Sequence, residues 1–360
     1  MNLVMKLKYA GNKFHYFVVG AEIIANRLLR REFIEVENRQ ISIEISSICN
    51  LKCRFCAYEK KVVPKTIMSN EMFFDSVNQA ANLGYDKFDL TPCTGDIFID
   101  KHILEKLHFL DNHPKVSQFG FFTNLVIPSH DQLIQLMGFK KLSGMTVSIY
   151  GHDEKSFIGI TKSNLTAYNR LISNLKMMLT HKTPSFPLSF GWRSTGDVPK
   201  KDSSELMELL GKFKKAGVYV NFPHGIFNNW GGLVSQDDVA DLNMKIISGD
   251  MKYKFGACIK LFGSIQITAS GVVNACSCRD VNSTLRIGDI KTTPLSNIIS
   301  SENKDYMRII KEQQAGKFMS ICNDCDFYRS IYHKPSYYRR DKIPAQTLSQ
   351  FISNLKNNRS

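Results

Sequence analysis

Regular alternation of short β-rich runs with helical stretches is the feature that most limits how this chain can fold. Six runs are predicted as strands, at 41–45, 88–92, 118–124, 145–151, 187–192 and 218–222. Five helices are predicted between them, at 69–84, 100–113, 130–139, 164–180 and 203–217. Such alternation predicts parallel strands joined by right-handed crossovers. The sheet is either open and doubly wound or curved into a partial barrel, and alternation alone does not decide between the two.

Polar residues follow the predicted strands one after another. In either architecture the active site belongs at the carboxyl ends of the strands, where the loops of a parallel sheet meet. The residues at these ends are Cys49, Thr94, Gly95, Asp96, Asn124, Ser148, Tyr150, Trp192 and Arg193. Their shared position predicts one site on one rim of the sheet.

Length and composition set the outer limits. The 360 residues are 43% hydrophobic, enough for one large α/β domain and a smaller appendage. No run of about 18 apolar residues predicts a membrane span. The N-terminal segment lacks the small-residue cleavage site of a signal peptide. We therefore expect a cytoplasmic protein whose nine cysteines are thiols or metal ligands rather than disulfides.

The net charge of +14 favours anionic partners. These include a phosphorylated or carboxylated substrate and an acidic redox protein of the flavodoxin or ferredoxin type that donates electrons. Nucleic acid is not predicted as a partner, because the chain has no helix-turn-helix, RRM or zinc-finger pattern.

The segment CNLKCRFC places Cys49, Cys53 and Cys56 directly after the first strand. Thiolates at this spacing can hold an iron–sulfur cluster, and three of them leave one iron without a protein ligand. An open position on a metal is where a substrate or cofactor can bind. The alternative is a structural zinc site completed by a distant cysteine or histidine.

This triad, together with Phe55, resembles the CxxxCxxC signature of radical S-adenosylmethionine (SAM) enzymes over roughly residues 38–330. The resemblance implies a [4Fe–4S] cluster on the three cysteines and SAM on the fourth iron. It also implies reductive cleavage of SAM to a 5′-deoxyadenosyl radical that takes a hydrogen atom from the substrate. The family fold is a partial (β/α)6 barrel, so the resemblance favours a curved sheet.

Further positions match the family's SAM-binding segments. The turn Thr94-Gly95-Asp96 stands where the family usually has Gly-Gly-Glu, the segment that meets the SAM amino group. It keeps a carboxylate, on a shorter side chain, but lacks the first glycine. Asn124 matches a frequent Thr-Asn at the end of the third strand. Ser148 and Tyr150 match a Ser-x-Asp segment, with the aspartate replaced. Arg193 is placed where it could pair with the SAM carboxylate.

A second set of cysteines lies in the C-terminal part. Cys258 and Cys276 flank a predicted β-hairpin that turns at 270–271, and Cys322 and Cys325 form a CxxC pair. Four thiolates make a complete metal site, which by itself could bind zinc. Next to a radical SAM core, the set resembles the shortened SPASM or twitch module, which implies one auxiliary [4Fe–4S] cluster.

Two cysteines remain, Cys93 and Cys278. Both could be small buried apolar side chains. Both are also candidate catalytic thiols, because S–H is a good hydrogen-atom donor to a carbon radical. A thiol that quenches the substrate radical from the opposite face gives epimerisation, whereas electron transfer to the auxiliary cluster gives dehydrogenation. Cys278 could instead replace Cys276 as a cluster ligand.

Four regions are predicted. Residues 1–37 form an N-terminal helical extension with a helix at 16–36, and 38–235 form the partial barrel. Residues 236–330 form the cluster-binding module, and 331–360 a basic tail without strong periodicity.

A small polar substrate, such as a carbohydrate or aminocyclitol, is favoured, because forty residues before the first strand are too few for the peptide-recognition domain of many relatives. The alternatives are a peptide substrate and a non-catalytic metal-binding module.

Overall fold

A sheet of nine strands dominates this computed structural model, which describes residues 17–36, 39–91, 93–183, 185–195, 204–221, 225–247 and 254–357. The strands are β1 Ile34–Glu35, β2 Gln40–Ile43, β3 Lys87–Asp89, β4 Gln118–Thr123, β5 Leu142–Tyr150, β6 Leu188–Arg193, β7 Tyr219–Asn221, β8 Ile226–Phe227, β9 Lys245–Ile246, β10 Gln266–Ile267, β11 Val272–Asn274, β12 Arg286–Asp289 and β13 Ala345–Gln346. The large sheet has the order β12-β11-β10-β2-β3-β4-β5-β6-β7.

The six strands predicted from alternation are β2 to β7, and all five pairings between them are parallel. Their observed bounds differ from the predicted ones by up to three residues, and residue 222 lies outside the described residues. The α/β class is confirmed, with a parallel-dominated sheet similar to a partial barrel, and the described strands do not close into a full barrel.

The helices are α1 (17–28), α2 Asn70–Asn82, α3 Ile103–Asn112, α4 His130–Leu136, α5 Glu154–Thr161, α6 Leu165–His181, α7 Glu205–Lys215, α8 Lys260–Gly263, α9 Leu295–Ile298, α10 Lys304–Gln314, α11 Ser320–Asn323, α12 Ser336–Arg340 and α13 Leu348–Asn357. Six of the helices, α2, α4, α5, α6, α7 and α10, begin at a polar residue whose side chain caps the first turn. The predicted N-cap Ser69 accepts a hydrogen bond from Met72 N–H at 3.2 Å. None of the helices in the described ranges is both long and apolar enough to cross a membrane.

The N-terminal helix ends earlier than predicted. The sequence predicts a helix at 16–36, of which residue 16 is not described, but α1 stops at residue 28 and Arg30 has φ of 55°. Phe33 N–H donates to the Ile331 carbonyl, and Ile34 is fully buried in β1. Tertiary pairing of β1 with β13 therefore overrides local helix propensity.

The predicted hairpin is confirmed as β10 and β11, with Gly271 in the left-handed region at φ of 89°. The hairpin also continues the central sheet, because β10 pairs in parallel with β2 and places Gln266 opposite Ser42. The segment after residue 330 contains α12, β13 and α13, so it is more ordered than a tail without periodicity suggests. The four region boundaries themselves remain predictions.

Candidate active site

The loop that carries the first three cysteines follows β2 at the carboxyl edge of the sheet. Its backbone is fastened to the end of α5, since Lys52 N–H donates to the Thr161 carbonyl and Arg54 N–H to the Ile160 carbonyl, each at 3.0 Å. Helix α5 lies in a connection for which the sequence predicts no helix or strand. It is short and immediately precedes α6, and a capping box at its start joins Asp153 and the backbone of residue 156.

Cys49, Cys53 and Cys56 lie close together: Cys56 raises the pKa of Cys49, and both of them raise the pKa of Cys53, although burial is the larger cause. Burial raises the pKa of Cys49 to about 12 and that of Cys56 to about 11. Buried thiolates need a compensating positive charge. A donor set of three sulfurs, with Leu51 N–H donating to Cys49 Sγ at 3.4 Å, fits an iron–sulfur cluster.

The turn after β3 packs directly under this loop. Gly95 has φ of 126°, and a Cβ there would lie 2.4 Å from the Ser46 carbonyl oxygen. The side chain of Asp96 accepts hydrogen bonds from Thr123 Oγ1 and from the backbone N–H groups of Phe98 and Asn124. Burial raises the pKa of Asp96 to about 6. The carboxylate that the sequence predicts at the cofactor is therefore engaged in joining β3, β4 and the turn, and its contact with SAM remains a prediction.

Asn124 links the end of β4 to the cysteine loop. Its side-chain nitrogen donates to Asn50 Oδ1 at 2.8 Å and lies 3.9 Å from Cys49 Sγ, and its Oδ1 accepts from Val126 N–H. Asn124 thereby fixes the start of the loop.

The ends of β5 and β6 face the loop from the other side. Tyr150 hydrogen-bonds to the Cys53 thiol, and its ring centroid lies 5.8 Å from that of Phe55. Arg193 donates to Ser148 Oγ at 2.9 Å and is near enough to lower the pKa of Cys53 and Cys56. The predicted rim residues thus surround the three thiols, with a fixed cation on one side.

The second cysteine set also converges. Cys258 lies beside Ser330 in an isolated bridge, and Arg329 N–H donates to Cys258 Sγ at 3.5 Å. Cys276 Sγ accepts from Cys278 N–H at 3.4 Å. Burial is the first cause of the raised pKa of each thiol, and it raises the pKa values of Cys322 and Cys325 to about 12 and about 11.

Comparison with known proteins bears on both cysteine sets. Residues 258–326 match SPASM, described as an iron-sulfur cluster-binding domain. The crystal structure of BtrN in complex with AdoMet and 2-DOIA superposes with a TM-score of 0.50 at 15% identity, over 81% of this chain and 94% of that one. The chain has the fold of radical SAM enzymes and carries a SPASM domain.

Two structures of Streptococcus suis SuiB are also similar. The one bound to precursor peptide SuiA has a TM-score of 0.51 at 12% identity, over 83% of this chain and 73% of that one. The one bound to S-adenosylmethionine has a TM-score of 0.50 at 13% identity, over 82% of this chain and 76% of that one. No curated protein matches the chain. The SPASM match supports an iron–sulfur cluster in the second cysteine set.

The SPASM domain holds five cysteines rather than four. Cys278 raises the pKa of Cys258, Cys276 and Cys325, and Arg279 Nη1 donates to Cys278 Sγ at 3.5 Å. Both Cys276 and Cys278 therefore remain candidates for the fourth ligand. Across the described ranges, no three or more Cys, His, Asp or Glu side chains lie close enough together to bind a single metal ion, so the thiols of each set are spread more widely than the ligands of a mononuclear site.

Cys93 lies on the side of the turn that faces the SPASM domain. Its Sγ donates to the Ser277 carbonyl at 3.5 Å, and burial followed by the charges of Glu44 and Cys278 raises its pKa well above the usual value. Both candidate catalytic thiols are thus on one side of the radical SAM core, next to the second cysteine set.

Several residues around the two cysteine sets were missed by sequence reasoning. Trp230 Nε1 donates to the Phe55 carbonyl at 2.9 Å, and Gln313 bridges the Cys258 backbone and Cys322 Sγ. Arg279 pairs with Asp326 at 3.2 Å. Arg279 and Asp326 are each next to a cysteine in the sequence, which was the one signal that could have pointed to them. Gln313 and Trp230 lack even that signal.

Proposed function

We propose that the chain is a cytoplasmic radical SAM enzyme that takes a hydrogen atom from a small polar substrate. A carbohydrate or aminocyclitol is our first candidate, converted by dehydrogenation or epimerisation. The observation that carries the proposal is the ring of side chains around Cys49, Cys53 and Cys56 at the carboxyl edge of a parallel sheet. When bound, the cluster and SAM supply the electron and the 5′-deoxyadenosyl radical.

The residues of the chain have distinct tasks in this proposal. The three cysteines hold the cluster and leave one iron for SAM. Asn124 fixes the loop, and the carbonyl edge of the turn at 94–95 accepts from the SAM ammonium. Arg193, already within range of the thiols, pairs with the SAM carboxylate. Ser148 holds the guanidinium of Arg193 in place.

The second cysteine set holds an auxiliary cluster through Cys258, Cys276, Cys322 and Cys325. In dehydrogenation, the substrate radical loses one electron and one proton; a cluster held by these cysteines would supply the electron acceptor, and solvent would take the proton. In epimerisation, a thiol of Cys93 or Cys278 gives a hydrogen atom to the radical and becomes a thiyl radical. A flavodoxin- or ferredoxin-type donor then supplies the electron, and solvent the proton, that restore the thiol.

A peptide substrate is the second candidate. It is supported by the similarity to SuiB bound to a precursor peptide, whereas BtrN holds 2-DOIA, so this fold accommodates more than one class of ligand.

The decisive test is a variant with alanine at Cys49, Cys53 and Cys56. After anaerobic reconstitution, the wild type should hold about eight irons and form 5′-deoxyadenosine from SAM under reducing conditions. The variant should keep about four irons in the second set and should form no 5′-deoxyadenosine. Reductive cleavage of SAM by the variant would reject the proposal, and stoichiometric zinc in place of its remaining iron would reject the auxiliary cluster.

A further inference from the structure

A buried ion pair lies in the seam between the barrel and the SPASM domain. Lys61 Nζ is 3.7 Å from Glu44 Oε1, and the two side chains are only 4% and 3% exposed. Glu44 follows β2, and Lys61 follows the 3₁₀ turn Ala57–Lys60 after the last cysteine of the loop. The pair therefore joins the first strand of the barrel to the end of the cysteine loop.

The ammonium group has more donors than partners. A lysine carries three N–H donors, and 3.7 Å is too long for a good hydrogen bond. Within the described part of the chain, the carboxylate of Glu44 is the one ion-pair partner of Lys61 Nζ. Glu44 Oε2 accepts from Ala269 N–H at 3.1 Å, so half of this carboxylate is held by the hairpin.

This geometry is costly for a purely structural pair. Removing two charges from water carries a large desolvation penalty, and attraction offsets it only with short, well-oriented contacts. The Lys61–Glu44 contact is long and sets one carboxylate oxygen against three N–H donors. Those donors are suited to an anion that arrives from solution.

The surroundings point to the substrate as the source of that anion. The Cys93 thiol is in electrostatic range of both Lys61 and Glu44, and of Cys278 in the SPASM domain. Asp280 is nearby, but its carboxylate is occupied by the backbone of Thr284 and Leu285. Arg193, in contrast, is the cation beside the three thiols where SAM is expected to bind.

We propose that Lys61 binds a carboxylate or phosphate of the substrate in the seam between the barrel and the SPASM domain, with Glu44 as its counter-ion when no substrate is bound. This inference rests on the proposed function, since it places the substrate beside the candidate donor Cys93. The chemistry recognised is a compact anion, and the same chemistry is present in the carboxylate of SAM.

The test uses inorganic phosphate and acetate as probes, titrated calorimetrically into the reconstituted enzyme with SAM already bound. The wild type should bind one of them saturably, and Lys61→Met should weaken that binding at least tenfold. The matched control is Lys291→Met, because Lys291 also lies 3.7 Å from a carboxylate, that of Asp289, but is 52% exposed. The control variant should bind phosphate or acetate as the wild type does. Absence of saturable binding in the wild type would overturn the proposal.

Two further variants separate binding from structural support. Glu44→Gln removes the competing carboxylate, so it should tighten phosphate or acetate binding severalfold, whereas a merely structural pair would give no gain. If Lys61→Met does not fold because Glu44 is left unpaired, the double variant Lys61→Met/Glu44→Gln removes both charges and should still lose the anion.

The affinity for SAM distinguishes the two sources of the anion. The affinity for SAM should be unchanged in Lys61→Met. A loss of SAM affinity as large as the loss of phosphate or acetate binding would overturn the proposal, because the ammonium would then bind the cofactor. Because anion binding needs no SAM cleavage, failure of this proposal can be told apart from failure of the proposed radical chemistry.

Discussion

At the scale of single residues, Asp96 combines deep burial with several hydrogen bonds. It is 1% exposed and accepts from the hydroxyl of Thr123 and two backbone N–H groups. These donors favour the ionised form, but loss of hydration outweighs them and raises the pKa from 3.8 to about 6. A rise of this size corresponds to roughly 3 kcal/mol.

The stability of the protein should consequently depend on the ionisation of Asp96. Between about pH 4 and 6 the folded state binds this proton more tightly than the unfolded state, so its contribution to stability falls as pH rises and is lost above pH 6. Denaturant unfolding should show that the free energy of unfolding of the wild type, minus that of Asp96→Asn, falls from pH 5 to pH 7. A rise of this quantity over the same range would contradict the raised pKa.

Cys93 and Cys278 give a second prediction at the residue scale. If a thiol reduces the substrate radical, turnover in deuterated water should place deuterium at the inverted carbon. Either Cys93→Ala or Cys278→Ala should then stop inversion while 5′-deoxyadenosine is still formed. Normal inversion by both variants would exclude a thiol donor. The dehydrogenation route would then be favoured, and the product should be oxidised.

At the scale of elements, the turn after β3 supports the cysteine loop through a glycine. A Cβ at Gly95 would lie 2.4 Å from the Ser46 carbonyl oxygen, and the backbone there cannot give way cheaply. We expect Gly95→Ala to displace the loop and to lower iron content from about eight to about four atoms per chain, with the second set retained. Iron analysis after reconstitution measures this.

The control for Gly95 is Gly84→Ala. Gly84 also has positive φ, 89°, but nothing lies within 4 Å of a Cβ there. Both variants carry the backbone strain of a side chain in this region, about 1 kcal/mol, so stability falls in both. Only Gly95→Ala should lose iron, and equal iron loss in the two would show that strain rather than contact is responsible.

At the scale of the whole molecule, the two ends of the described chain fold together. Strand β13 pairs with β1, Leu348 N–H donates to Glu32 at 2.6 Å, and Phe351 packs edge-on against Phe262 at 4.9 Å. These contacts join α13 to residues next to the first SPASM cysteine, although α13 itself contributes no cysteine.

Removal of residues 344–360 should therefore lower stability without removing a cluster ligand. Loss of the contacts of the partly buried Phe351 and the buried Leu355 predicts a cost of about 2–5 kcal/mol, visible as a fall in Tm of several degrees. Iron content at 10 °C should equal that of the full chain. Loss of iron at a temperature where the truncated protein is still folded would show that the segment helps to hold a cluster.

The amino-acid sequence by itself determined the parts of this protein that depend on local pattern. Periodicity and turn residues predicted β2 to β7, the hairpin at Gly271 and the cap at Ser69, because each depends on residues a few positions apart. Spacing within short segments likewise identified the two cysteine sets. The positions of Asn124, Tyr150 and Arg193 around the first set followed from the rule that parallel strands end on one rim.

Only the tertiary structure decided the features that join distant segments. Helix α1 ends at residue 28 because β13, more than 300 residues away, pairs with the chain that follows. The engagement of Asp96 depends on Thr123 and Asn124 of the next strand. The Lys61–Glu44 pair exists because the hairpin at Ala269 docks on β2 and shields both charges from water. No local pattern carries such information, since burial and charge pairing are set by which surfaces meet once the chain has folded.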